Sequence, residues 1–338
     1  MTSDATGGTA PLIDGFGRTI RYLRVSVTDR CDLRCRYCMA EHMTFLPRAR
    51  IATLEELAII AERFIARGVR KVRLSGGEPL VRRDVMQLVD RLGHHVAAGT
   101  LDELTMTTNG TRLAQLADAL VAAGMRRVNV SMDSRDPDRF RYITRHGDVA
   151  QVLDGIAAAQ AAGLAVKINM VALKGFNEDE IAPMLAWCSD QGHDLTLIET
   201  MPLGEVEEDR TDRFMPLTEV KARLDREFRL ERDLAGTGGP ARYWRVNGGS
   251  TRLGLISPLT ANFCDGCNRV RLTTEGRLYT CLGHDDHADL RGALRSGGVE
   301  GLDDAIAGAL ATKPRRHDFR MEAGAAPAVA RHMSVTGG

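Results

Sequence analysis

Six of the seven cysteines fall into two triplets, and their spacing is the feature of this chain that could do chemistry. Cys31, Cys35 and Cys38 form C-x3-C-x2-C in the stretch Cys31-Asp32-Leu33-Arg34-Cys35-Arg36-Tyr37-Cys38, directly after an apolar run. Three thiolates fill three positions of a four-iron cluster, or of a zinc ion, and leave one open to a group that can be bound and activated. Taken alone, the loop would also serve as part of a zinc site with His42 as fourth ligand. Cys264, Cys267 and Cys281 form a second set, C-x2-C-x13-C, with His284 as a candidate fourth ligand, and alone it fits a zinc ribbon as well as a cluster. An odd cysteine count split in this way suits metal binding in a reducing compartment better than a disulfide framework. The remaining cysteine, Cys188, follows Ile181, Met184 and Leu185 at helical spacing and reads as a core thiol.

The elements that must position these thiols alternate regularly. Tyr22 to Val27 has strand character, and the first triplet hangs from its C-terminal end. Thr53 and Glu56 make a capping box, and Leu54, Leu57, Ala58, Ala61, Phe64 and Ile65 share one helical face that Gly68 closes. Lys71 to Ser75 then enters Gly76-Gly77-Glu78-Pro79 and a helical pattern to about Leu92; Glu103 to Thr107 precedes Thr108-Asn109-Gly110 and a further helix. Strands follow at Arg127 to Ser131, Val166 to Met170 and Leu195 to Glu199, with helices near residues 149–162 and 179–191. This alternation predicts an α/β fold with a parallel sheet, and polar motifs at strand C-termini favour barrel-like closure, because a barrel gathers its site there. At the second such end the two glycines allow close backbone approach to a ligand, Glu78 can accept from an ammonium group and Pro79 stiffens the turn.

After Pro202 the rhythm breaks. Residues 203–216 are acidic and loop-like, 217–229 helical and 234–240 glycine-rich, so the core ends near 230. Short strands at Tyr243 to Val246, Leu253 to Ile256, Val270 to Leu272 and Arg277 to Tyr279 surround the second triplet, before weak helices and the tail Val335-Thr336-Gly337-Gly338. The expected organisation is a disordered leader over 1–17, a partial barrel over 18–230, a smaller cap over 231–326 and a tail over 327–338.

Bulk properties exclude several classes. At 338 residues and 43% hydrophobic composition the chain can bury a large core. Lys plus Arg and Asp plus Glu are both 45, so no global field argues for nucleic acid or a membrane surface, and any anion site is local. No apolar run is long enough to span a bilayer, and Met1 to Pro11 lacks the build of a signal peptide, so a cytoplasmic protein is expected.

The first triplet, with Tyr37 just before its last cysteine and Gly76-Gly77-Glu78-Pro79 downstream, resembles the radical S-adenosylmethionine enzymes. In that superfamily three cysteines hold a [4Fe–4S] cluster whose fourth iron chelates the methionine moiety, and reductive cleavage yields a 5'-deoxyadenosyl radical. The second triplet, Arg269 and Arg271 just after Cys267, and the terminal Gly337-Gly338 narrow the resemblance to the GTP 3',8-cyclase family of molybdenum cofactor biosynthesis, from about Arg18 to the last residue. That resemblance implies an incomplete (β/α)6 TIM-like barrel and a smaller C-terminal α+β cap carrying a second [4Fe–4S] cluster. GTP would lie in the channel between the clusters, its guanine on the free iron of the second.

Carried across by position, Arg24, Arg73, Thr107, Lys167, Arg269 and Arg271 resemble the GTP contacts. Tyr37, Gly77, Ser131 and Met201 resemble those to S-adenosylmethionine. Gly337 and Gly338 would join Cys31, Cys35 and Cys38 at the catalytic centre, and the product would pass to a cyclic pyranopterin monophosphate synthase. The electron donor is not legible, and a homodimer is left open. A triphosphate needs several cations, and guanidinium matches phosphate in a bidentate fork. One departure is Thr196, where some family members carry an arginine. Rival readings are a radical enzyme that modifies a peptide and a zinc-binding interaction module; a GTP-binding switch lacks its G-x-x-x-x-G-K-[ST] loop. Anaerobic reconstitution decides the metal question: about eight irons per chain are expected for two clusters, whereas zinc in a colourless protein would reject both.

Overall fold

The computed structural model describes residues 10–204, 210–234, 238–322 and 324–337. The first part runs β1 Tyr22–Ser26, α1 Leu54–Ala66, β2 Lys71–Ser75, α2 Val85–Ala97, β3 Glu103–Thr108, α3 Leu113–Ala122, β4 Arg127–Ser131, α4 Pro137–Thr144, α5 Val149–Ala161, β5 Ala165–Ala172, α6 Ile181–Gln191 and β6 Asp194–Glu199. The rest comprises α7 Arg210–Arg213, α8 Leu217–Leu224, β7 Leu230–Asp233, β8 Arg242–Val246, β9 Arg252–Ile256, β10 Arg269–Leu272, β11 Arg277–Tyr279, β12 His287–Asp289, α9 Leu290–Ala311 and α10 Met333–Thr336. Thr53 and Glu56 form both bonds of the capping box that starts α1.

All the strands join one sheet in the order β12-β11-β10-β1-β2-β3-β4-β5-β6-β9-β8-β7. Strands β1 to β6 pair in parallel in chain order, as in a radical S-adenosylmethionine partial barrel. The strands after residue 230 form no sheet of their own: β9 adds in parallel to β6 and β10 in parallel to β1. The antiparallel strands β7, β8, β11 and β12 extend the two edges.

Strand alternation sorts the residues into an outer apolar face and an inner polar one. Leu23, Val25, Val72, Leu74, Leu104, Met106, Ile168 and Leu197 join the core beneath the helices, where Leu57, Phe64, Leu88 and Leu120 are fully buried. The alternate positions Arg24, Arg73, Thr105, Asn129, Lys167 and Thr196 face inward.

Residues 10–17, expected within a disordered leader, pack against the fold. Residues 1–9 lie outside the described residues, but Leu12 is 1% exposed, Ile13 bridges Thr19, and Asp14 accepts from the Arg18 guanidinium at 2.6 Å. An apolar pair flanking a turn at Gly17, with a buried ion pair beneath it, gives 10–17 a fixed place. At the other end, Leu203 bridges Val329 and α10 carries the tail to Gly337, while Gly338 lies outside the described residues. Phe64→Ala empties a buried aromatic site between α1 and the sheet and is expected to lower stability by about 3–5 kcal/mol in urea titration.

Candidate active site

The first triplet sits in the long loop after β1, and bonds from several neighbours hold that loop. The amides of Arg34 and Arg36 donate to the carbonyls of Thr144 and Ile143 at the end of α4, at 3.0 and 2.9 Å. The amides of Gly77 and Glu78 donate to the carbonyls of Thr28 and Arg30, both at 2.8 Å. A Cβ at Gly77 would stand 2.3 Å from the Arg30 oxygen, so only glycine lets the two backbones lie together. Tyr37 donates to Asp133 Oδ2 at 2.7 Å, and Asp133 Oδ1 accepts from the Val171 amide at 2.8 Å.

Glu78 is bonded within the protein. Its carboxylate is 1% exposed and accepts from the amides of Leu80 and Asn109 and from Thr108 Oγ1, at 3.0, 2.6 and 2.8 Å. These bonds brace the loop after β3, and Glu78 is not among the residues that line the cavity described below. Burial pushes its carboxyl up to about 7 against these bonds.

The second triplet lies at the opposite end of the same strands. Cys264 and Cys267 precede β10, which runs parallel to β1, and Cys281 follows β11, which turns back antiparallel. The two sites therefore flank β1, whose five residues span roughly 16 Å at the usual rise. Between them, Arg271 pairs with Arg24 and Arg24 with Arg73 across three adjacent strands. Like charges opposite one another on a sheet repel. Burial and Arg271 hold Arg24 well below the usual guanidinium range, and burial and Arg269 bring Arg271 down to about 10. Burial alone would raise the Tyr22 phenol, yet Arg73, Arg24, Lys71 and Arg269 bring it down to about 8. An anion placed among these groups would relieve all of them.

One cavity of about 260 Å³ joins the two ends, lined by all six triplet cysteines. Arg24, Tyr37, Gly77, Thr107, Ser131, Met201, Arg269 and Arg271 also line it. Arg73 and Lys167 stand one step deeper on the same strand faces, two residues before the lining residues Ser75 and Asn169. Arg73 Nε, Thr107 Oγ1 and Thr196 Oγ1 are buried without a hydrogen-bond partner. From the tail, Gly337 offers its carbonyl to Arg271 Nη1 at 2.9 Å, and Met333 and Ser334 line the cavity.

The donor set fits iron–sulfur ligation. Burial pushes the Cys31 and Cys35 thiols far up and Cys38 up to about 11, so thiolates there require cations among them. In the second set burial raises Cys281, while Arg269 and Lys313 overcome burial at Cys267 and lower it. His42 is exposed, and His284 Nε2 lies 3.0 Å from the Arg316 carbonyl; neither lines the cavity, so neither zinc reading finds its fourth ligand.

Several lining residues escaped the sequence reading. Asp133 is two positions after Ser131, on the same strand face, and that offset was its only signal. Phe263, His317 and Phe319 give the second end an aromatic wall, and Glu199 lines the cavity while accepting from the amides of Leu217 and Leu259 at 3.2 and 3.1 Å. No local pattern marks any of these.

Comparison with known proteins agrees with this geometry. Residues 25–188 match the Radical SAM superfamily and residues 193–319 match Molybdenum Cofactor Synthesis C. A GTP 3',8-cyclase of Rhizobium meliloti is 59% identical over 98% of this chain and 95% of its own length. Those of Agrobacterium fabrum and Brucella canis are 57% and 56% identical, over 98% of this chain and 96% of theirs. Among solved structures, Streptococcus suis SuiB bound to S-adenosylmethionine shares the fold at a TM-score of 0.59 and 16% identity, covering 87% of this chain and 69% of that one.

Deep in the cavity wall, Lys167 donates to Tyr243 Oη at 2.7 Å and lies 3.8 Å from Asp194. Burial, then Arg127, push it down to about 7. A lysine lowered on folding leaves the unfolded chain holding the extra proton between its folded and ordinary values, so stability rises with pH across that window. Urea unfolding should show this gain from pH 7 to pH 9, and Lys167→Met should flatten it.

Proposed function

The chain belongs to the GTP 3',8-cyclase family of radical S-adenosylmethionine enzymes, which act in molybdenum cofactor biosynthesis, and from that premise we propose how its own residues divide the work. When bound, the cluster and S-adenosylmethionine supply a 5'-deoxyadenosyl radical that takes hydrogen from C3' of GTP, after which that carbon bonds to guanine C8. Cys31, Cys35 and Cys38 hold this cluster. Gly77, Ser131 and Met201 line the space for S-adenosylmethionine, with Tyr37 fixed by Asp133.

Cys264, Cys267 and Cys281 would hold a second [4Fe–4S] cluster, which would supply an iron site for the guanine at the end walled by Phe263, His317 and Phe319. Arg24, Arg73, Arg269 and Arg271 bind the triphosphate, with Thr107 and Lys167 as further contacts. Where Thr196 replaces an arginine of some relatives, its partner in the register is Gly254, and Arg252, two residues before, is paired with Asp194. Holding C3' against C8 between two fixed anchors is an orientation effect, which can supply several kcal/mol. Gly337 closes the radical end beside Ser75, and the role expected of Gly338 falls outside the described residues. The product passes to a cyclic pyranopterin monophosphate synthase.

The observation that carries this reading is the single cavity lined by both triplets with Arg24, Arg269 and Arg271 between them. Reconstituted protein with S-adenosylmethionine and a reductant should release 5'-deoxyadenosine only when GTP is added, and deuterium at C3' of GTP should appear in that product. Cleavage indifferent to GTP would sink the assignment. Arg271→Ala should raise KM for GTP roughly tenfold or more through loss of a charge-assisted contact.

A further inference from the structure

Lys313 belongs to neither cysteine triplet and follows the end of α9, yet it is 3% exposed and aimed at the second site. Its ammonium donates to the carbonyl of Thr280, to the carbonyl of Arg269 at 3.3 Å and to Cys267 Sγ at 3.6 Å. All three donors are thus spent on the two segments that carry Cys267 and Cys281. Among the described residues no carboxylate pairs with it, and an ammonium taken out of water needs a counter-charge. Three thiolates and the net negative cluster they bind supply one.

Arg18 makes an instructive contrast. It also reaches this region, donating to the carbonyls of Cys264, Pro314 and Arg315 at 2.8, 2.8 and 2.7 Å. Its counter-ion is Asp14, at 2.6 Å, and among the described residues it makes no hydrogen bond to sulfur, so its charge acts on Cys267 only behind those of Arg269 and Lys313. Arg18 holds backbone and carries its own carboxylate, whereas Lys313 holds backbone and leaves its charge on the sulfur.

We propose that Lys313 is the positioning residue of the second cluster, tying the Cys267 and Cys281 segments together and placing its only counter-charged contact on the Cys267 sulfur, so that the cluster accepts an electron more readily. The inference rests on the reading that Cys264, Cys267 and Cys281 hold an iron–sulfur cluster. A donor and a positive charge at a ligand sulfur stabilise the reduced, more negative form, which raises the reduction potential.

The test uses the full chain with Cys31, Cys35 and Cys38 all changed to Ser, so that only the second site can bind iron. Dithionite titration followed by electron paramagnetic resonance gives its midpoint potential. Lys313→Gln, which keeps a hydrogen-bond donor and loses the charge, should retain the iron and shift the potential to more negative values. Lys313→Arg should return it towards the parent, and Arg18→Met should move it less than Lys313→Gln does. Iron retained with an unchanged potential in Lys313→Gln, or an equal shift in Arg18→Met, overturns the role of Lys313 alone. A parent that binds no iron overturns the second-cluster reading and the inference with it.

Discussion

The parallel pairing of β10 with β1 is the constraint on which the rest of the site depends. It is a contact between residues more than two hundred positions apart, with Tyr22, Leu23, Arg24 and Val25 opposite Arg269, Val270, Arg271 and Leu272. Because the strands run the same way, a loop that follows β1 and a loop that precedes β10 must lie at opposite ends of the sheet. That places the two cysteine sets about one strand length apart and aims both into the same interior. A slip of one residue would turn Arg269 and Arg271 outward and Val270 and Leu272 inward, and the cavity would lose its cations.

That interior costs stability. Arg24, Arg73 and Arg271 lie side by side in register, and Lys71, Arg127, Lys167 and Arg252 crowd the same inner face, where Glu103 and Asp194 are carboxylates bonded to them. Burial first, and then the same excess of positive charge, lower Arg24, Lys167 and Arg271. Compensation comes from the outer face, where helices cover Leu23, Val72, Leu104, Val128, Ile168 and Leu195. An interior arranged in this way is prepared for a polyanion before one arrives, so little reorganisation remains to oppose binding.

The sequence disclosed the parts of this arrangement that are local. Strands β2 and β4 begin and end at the expected residues, since short apolar alternations bounded by turns leave few choices. The triplets announced a metal by spacing alone, whereas Arg24, Arg73 and Lys167 became candidates only through resemblance, because a lone basic residue in a strand carries no signal of its surroundings. Residues whose role depends on distant chain were illegible: Asp133 acts through Tyr37, Glu199 through Leu217 and Leu259, and Lys313 through Thr280 and Cys267. After residue 230, β8 to β11 read correctly as strands, while β7 and β12 were not legible. Their joining the two edges of the barrel sheet was not legible, since register with β1 and β6 is a property of the folded sheet.

The tail shows how steric fit can dictate a residue type where flexibility is the usual explanation for glycine. A Cβ on Gly337 would stand 1.9 Å from Ser75 Oγ and 2.9 Å from Ser75 Cβ, and the residue has φ 74. Both conditions exclude a side chain, and together they let the chain end approach the close of β2. There its carbonyl takes a bond from Arg271, the same guanidinium that stands level with Arg24. Arg271 therefore joins the cation level to the chain terminus, so a charge placed among the arginines and the position of the tail act on one side chain. A larger residue at 337 would have to withdraw from Ser75, and Arg271 would lose its carbonyl partner before any substrate was bound.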